Sequence, residues 1–542
     1  MTPMRDLVTA PSRREDFLGR GWWDGATLAG RVAELAERRG DVVAVVDETG
    51  QRRSYSELAG GAGRLAAQLR ERGVDAGDVV SVQLPNWYEA AVVAVAVQSI
   101  GAVINPLLPN YRARELAHVF TIAQPAAIVT PGDYRGFDHC QLVADVRATT
   151  GVRPLHLITR ESTGDRGDSL LSDLLDGPAV ALDVSRVSPE AVSELIFTSG
   201  TEASPKAIMH TEQTTNFSVR VAFADLGLGG DDVVWMPSPV GHSTGFNYGL
   251  RFALYHGLPL ILQDRWDAAA AIELVERERA SYTLAATTFL QDLVEEAERQ
   301  HVALPRLRCF GCGGAPVPAD LVGAASEIGI GVLRLYGSTE VLVGTWNRPD
   351  SPSEQRRHTD GVPMSAVEVE TRDGDGRPCP GEPGEIFVRG PNTCVGFYAD
   401  PDRTAATFDA DGWVRSGDLG IVGADGALTV SGRKKEIIIR GGINIAPREI
   451  EELIVMWPEV ERAAVVGVPD PRLGERSCAC VVLRSGQALT FEVMVDRLRA
   501  AGLATFKLPE QLEVLDALPT TASGKVQKHE IVRRLAHSTA AG

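Results

Sequence analysis

The chain has 542 residues, 44% of them hydrophobic and 23% charged, and its 54 Lys and Arg against 72 Asp and Glu give a net charge of -18. That length exceeds what one hydrophobic core supports, so two or more domains are expected. Such an acidic surface excludes a nucleic-acid backbone as the main partner, and it obliges any anionic substrate to find local cations. Residues 1–22 mix Arg, Asp and Pro without an apolar run, so no secretory signal is expected. Seven cysteines, an odd number, form no disulfide framework and suit a reducing, cytoplasmic compartment. Cys309 and Cys312 have the spacing of a zinc knuckle, but Cys478 and Cys480 are distant and differently spaced, so the pattern is set aside.

In chain order, Leu28, Val32, Leu35 and Ala36 mark one face of a helix, and residues 42–46 read as a buried strand. A helix over 55–72, a strand over 79–84 and a helix over 89–99 follow. The longest apolar stretch, 90–108, is interrupted by Gln98, Ser99, Gly101, Asn105 and Pro106, which predicts a buried helix and then a strand instead of a membrane span. The alternation continues with helices over 267–278 and 289–299 and strands over 284–286 and 308–311, the rhythm of a covered α/β sheet. From Val367 the texture changes. Asp-Gly punctuation at 373–376, 409–412 and 424–426 predicts β-hairpins. A small unit closes the chain, with helices over 448–456 and 491–500 and strands over 460–468 and 478–483.

Several segments combine loop residues with phosphate-binding chemistry. Thr198-Ser199-Gly200-Thr201-Glu202-Ala203-Ser204-Pro205-Lys206 follows the apolar run Leu195-Ile196-Phe197. Hydroxyls, backbone N–H groups and a lysine after a strand can cradle phosphates, although the spacing is not that of a Walker A loop. Tyr336-Gly337-Ser338-Thr339-Glu340 follows another strand-like run. Trp413-Val414-Arg415-Ser416-Gly417-Asp418 comes next, then Gly432-Arg433-Lys434-Lys435-Glu436 running on to Gly441-Gly442, and last Pro519-Thr520-Thr521-Ala522-Ser523-Gly524-Lys525. Only six of the cations are lysine, at 206, 434, 435, 507, 525 and 528, and each lies in or beside one of these segments.

In order and spacing these motifs resemble those of the acyl-adenylate-forming superfamily, over residues 26–535. The resemblance implies an α/β fold: a large N-terminal domain of layered α/β subdomains plus a β-barrel-like region, residues 1–433, and a small mobile C-terminal α+β domain, 434–542, hinged near Lys435. It implies an AMP-forming acid:CoA ligase using ATP, Mg²⁺ and CoA. Thr198, Ser199, Gly200, Thr201 and Lys206 then line the phosphates. Gly313, Gly314, Ala315 and Pro316 pack against adenine, and Tyr336, followed by Gly337, stacks on it. Thr339 touches the α-phosphate, Glu340 holds Mg²⁺ with Thr201, and Asp418 accepts from the ribose hydroxyls beside Arg433. Lys525 reaches the reacting carboxylate, and Gly441 and Gly442 admit the thiol arm after a domain rotation. Where this chain has Ala203 and Ala207 the family usually has Gly; Ala penalises positive φ, so a stiffer phosphate loop or weaker ATP binding is expected.

The segment Pro237 to Phe246 matches the region that shapes the acid pocket, and Ala285-Ala286-Thr287-Thr288-Phe289 its other wall. No acidic residue lies between Asp232 and Asp264, which argues against an amino-acid substrate and for an uncharged acyl group. His242 is a candidate gate, the alternative being a satisfied core histidine. Gly241-His242-Ser243-Thr244-Gly245, His358-Thr359-Asp360-Gly361 and residues 473–479 most resemble ligases for short- and medium-chain fatty acids and cyclohexanecarboxylate. The alternative is a stand-alone aryl-acid ligase that loads a carrier protein.

Overall fold

The computed structural model describes residues 11–160, 168–185, 187–198, 206–441, 443–521 and 525–540. One sheet is built around Val79–Val82, Val103–Pro106 and Ala127–Pro131, which are parallel and wholly buried, as strands covered on both faces must be. The apolar stretch resolves into the helix Tyr88–Ser99, buried at every residue from Ala90 onward, and the strand Val103–Pro106. A helix apolar on all sides belongs inside a core. Beside it Tyr55–Glu71 starts where Ser54 and Glu57 form a reciprocal capping box.

In a second large sheet Val234–Met236, Tyr282–Ala285, Cys309–Cys312 and Val332–Ser338 are parallel neighbours. The hairpin texture forms a four-stranded antiparallel sheet of Glu368–Arg372, Gly384–Arg389, Val414–Val422 and Leu428–Arg433. One expected hairpin is minimal: the turn at 409–412 closes a single antiparallel bridge, Phe408 with Val414, because the preceding residues form the helix Pro401–Thr407, capped by Asp400 with Pro401 in its first turn.

The C-terminal unit has its own sheet, of Ile438–Arg440, Ile443–Ile445, Val460–Asp470, Gly474–Leu483 and Gln511–Val514. Its cores draw only on residues from Ile438 to Ile531, including Ile450, Val465, Val481 and Leu498, and are separate from those of the large domain. Among the described residues no helix is long and apolar enough to cross a membrane.

Behind the large-domain sheets lies a buried charge cluster that sequence periodicity does not reveal. Arg251 ends the π-helix Phe246–Arg251 and is fully buried. Its guanidinium meets Glu212 at 2.8 Å and Glu194 at 3.5 Å, and Nε donates to Asn247. Two carboxylates thus share one cation in a dry site. Burial, opposed by Arg251, pushes the Glu194 carboxyl up to about 7. The folded state therefore holds a proton that the unfolded chain releases near 4.5, so this contribution to stability is full at low pH and is lost as pH rises to about 7. Glu194→Gln is expected to flatten that slope in urea unfolding between the two values. Arg251→Ala leaves both carboxylates without their counter-charge and is expected to cost roughly 3–5 kcal/mol. An unchanged slope in the first variant would contradict the proton assigned to Glu194.

Candidate functional site

The parallel strands of the second sheet deliver their loops to one edge. At their C-terminal ends, Val234–Met236 leads to Pro237–Phe246, Tyr282–Ala285 to Thr287, Cys309–Cys312 to Gly313–Pro316, and Val332–Ser338 to Thr339 and Glu340. A crevice outside the carboxyl ends of parallel strands is where open α/β sheets bind ligands. Gly313 and Gly337 lie against backbone, since a Cβ would meet Leu335 O at 2.5 Å and Leu342 O at 2.0 Å. Gly314 and Ala315 are exposed, and the Pro316 carbonyl accepts from Thr287 Oγ1. Cys309 and Cys312 sit on the buried strand beside this loop, and burial raises their thiols to about 11 and about 12.

Tyr336 is buried, and its hydroxyl donates to Asp418 Oδ2 at 2.8 Å. The other carboxylate oxygen meets Arg433 Nε at 2.9 Å. Asp418 and Arg433 are paired across adjacent strands of the hairpin sheet, so this contact clamps that sheet to the strand bearing Tyr336. Burial disfavours charge on Arg433, but Asp418, Glu436, Tyr336 and Glu340 outweigh it and raise its pKa. Lys525 comes from the other domain. It keeps open surface at the cleft, yet protein crowds its ammonium, and desolvation together with the positive charge of Arg433 pulls it down to about 8. The charge of that ammonium is felt at His242. Burial first, and Lys525 second, lower it to about 4, so its imidazole is neutral at pH 7. Because Thr244 N–H donates to His242 Nδ1, the proton sits on Nε2.

On the other flank Thr198 and Lys206 face each other across antiparallel strands. Ser199, Gly200 and Thr201, as well as Ala203, lie outside the described residues. Lys206 Nζ is 3.7 Å from Glu340 Oε1. Ala207 does not bear the strain expected of it. It sits within the strand Lys206–Thr211 without positive φ, and its methyl is buried in the core with Val395 and Phe197. Two supports were invisible in the sequence. His210 Nε2 donates to the carbonyl of Thr339 at 2.7 Å, and burial lowers its pKa to about 4, which keeps it neutral. Cys394 N–H donates to the carbonyl of Glu340 at 2.7 Å. Residues at such separations leave no local periodic signal.

Two expected positions stand apart from this cluster. Lys435 is exposed in the short turn Lys434–Glu436, where the chain passes from the hairpin sheet to the small sheet. Gly441, at φ 56°, turns the hairpin between Ile438–Arg440 and Ile443–Ile445 and donates its N–H to Leu473 O. Ile439 and Ile443 flank it, 54% and 44% exposed. Gly442 lies outside the described residues.

The family model for AMP-binding enzymes matches residues 32–398, and that for the AMP-binding enzyme C-terminal domain matches 449–525. A medium-chain fatty-acid–CoA ligase of Escherichia coli K12 is 35% identical over 98% of this chain and 94% of its own length. A salicyl-AMP ligase/salicyl-S-ArCP synthetase of Mycobacterium tuberculosis is 32% identical over 97% of this chain and 94% of its own. The crystal structure of ATP-bound MatB from Rhodopseudomonas palustris superposes with a TM-score of 0.81 at 28% identity, covering 93% of this chain and 98% of that one.

Gly241, which enters the loop bearing His242, has no room for a side chain, because an added Cβ would lie 2.2 Å from Leu107 O. Backbone cannot yield as a flexible side chain would. Gly241→Ala is therefore expected to destabilise by roughly 1–3 kcal/mol in chemical unfolding. A wild-type midpoint would refute the close approach.

Proposed function

Because the chain belongs to the AMP-binding enzyme family, as an AMP-forming acyl-CoA synthetase that works with ATP, Mg²⁺ and CoA, we propose that it activates a short- or medium-chain fatty or alicyclic acid and passes the acyl group to CoA. The observation that carries this reading is the meeting of Tyr336, Asp418 and Arg433 of the large domain with Lys525 of the small one. In the first half-reaction the acid's carboxylate attacks the α-phosphorus of ATP, and pyrophosphate leaves. In the second a thiol sulfur attacks the acyl carbon, and AMP leaves.

Both reactants of the first half are anions, so cations and fixed donors must offset their repulsion. Lys206 and Thr198, with the hydroxyls of Ser199 and Thr201, are suited to the β- and γ-phosphates. Asp418 is acceptor-only and suited to ribose hydroxyls, while the Gly313–Pro316 turn and Tyr336 flank the base. Glu340 is a single, partly open carboxylate beside Lys206, and Thr201 precedes that lysine closely in sequence. That donor set fits Mg²⁺, which takes one or two carboxylates and completes its shell from phosphates and water. When bound, the ion supplies charge neutralisation on the phosphates. Lys525 is suited to steady the incoming carboxylate. Neutral His242 and an acid-free wall from Val233 to Gln263 suit an uncharged acyl group. The turn at Lys435 is the proposed hinge between domains 1–433 and 434–542, which would bring Gly441 and Gly442 to the cleft for the thiol step. Free cysteines throughout the described residues support a cytoplasmic setting.

A second reading, an aryl-acid ligase loading a carrier protein, is supported by the likeness to the salicyl-AMP ligase. AMP release across acids from C4 to C12, cyclohexanecarboxylate, benzoate and salicylate, with and without CoA, separates the two. CoA-dependent turnover of aliphatic or alicyclic acids is expected. Salicylate exchange unaffected by CoA would favour the second.

Lys525→Ala is expected to lower pyrophosphate exchange by on the order of 10²–10³ while still converting supplied acyl-AMP to thioester. Equal loss of both halves would overturn the role given to Lys525. Since the ammonium must stay protonated, kcat/KM for exchange is expected to fall as pH rises through about 8, well below the ordinary lysine value of 10.5.

A further inference from the structure

We propose that Arg448 and Asp360 latch the small domain in the arrangement that presents Lys525, and so are positioning residues for adenylation. The inference rests on the role given to Lys525 above. Asp360 belongs to the large domain and is 4% exposed. Its Oδ1 accepts from Arg334 Nη2 at 3.0 Å, and its Oδ2 from Val430 N–H. Arg448, from the small domain, brings Nη2 to 3.8 Å from the same Oδ1, with its side chain 13% exposed. That Nη2 is buried without a hydrogen-bond partner, and Nε donates to Glu452. One buried carboxylate therefore faces guanidinium groups from both domains.

The latch connects to the cleft at both ends. On the large-domain side, Arg334 lies two residues before Tyr336 on the strand Val332–Ser338. On the other side, Arg448 opens the helix Pro447–Ile454, whose Glu451 meets Lys528 Nζ at 2.7 Å. Lys528 also meets Glu436 of the linker turn at 3.1 Å and lies three residues beyond Lys525. Seating that helix therefore seats the lysine. A second ion pair between the domains, Arg484 with Glu295 at 2.9 Å, is 40% and 48% exposed. Water and salt screen it, so it contributes little, whereas the buried pair is screened far less.

The test compares Arg448→Ala, Arg448→Gln and Arg448→Lys with Lys525→Ala and Arg484→Ala, each with a melting curve to establish folding. Loss of the latch depopulates the seated arrangement, so the Ala and Gln variants are expected to lose about tenfold or more in pyrophosphate exchange while thioester formation from supplied acyl-AMP stays within about twofold. The alkaline limb set by Lys525, which Arg433, Asp418, Glu436, Lys528 and His242 surround, is expected to move from about 8 toward 10.5. Arg448→Lys recovers part of the exchange, and Arg484→Ala changes neither half. Unchanged exchange, or both halves falling together with the limb fixed, overturns the latch. If Lys525→Ala separates the halves and the Arg448 variants do not, the latch alone falls. If Lys525→Ala fails to separate them, the role of Lys525 falls and the latch with it.

Discussion

The arrangement depends on one carboxylate. Asp418 can only accept hydrogen bonds, and it is buried, so each oxygen needs a donor. Tyr336 supplies one from the end of a parallel strand, and Arg433 supplies the other from the neighbouring antiparallel strand. Satisfying that single group fixes the hairpin sheet against the α/β body. It also gathers charges that act on the ammonium of Lys525.

The rest of the site manages charge in a protein that is acidic overall. Lysines are few, and those with described ion pairs serve specific carboxylates: Lys206 meets Glu340, Lys434 meets Glu385, Lys507 meets Glu449, and Lys528 meets Glu436 and Glu451. The histidines at the cleft behave in the opposite sense. Burial keeps His210 and His242 neutral, so they position groups by hydrogen bonds and add no charge.

Burial likewise ranks the contacts between the two domains. Arg448–Asp360 and Arg484–Glu295 are both ion pairs of opposite charge, and the second is the shorter. Desolvation reverses the ranking that distance alone suggests, because screening by water acts mainly on the exposed pair.

The alternating α/β elements, the buried helix Tyr88–Ser99, the small C-terminal unit and the segments bearing Thr198, Tyr336, Asp418 and Lys525 were all legible in the sequence. Each is written in residues close together along the chain, where period, punctuation and motif spacing operate. Only the tertiary structure decided that Ala207 packs in a core instead of straining a loop, that His210 holds Thr339, that Arg251 sits between two glutamates, and that Asp360 faces Arg448. Those partners lie far apart along the chain, His210 and Thr339 by 129 residues. Their meeting is set by how sheets stack and how two domains dock, so no local pattern can announce it.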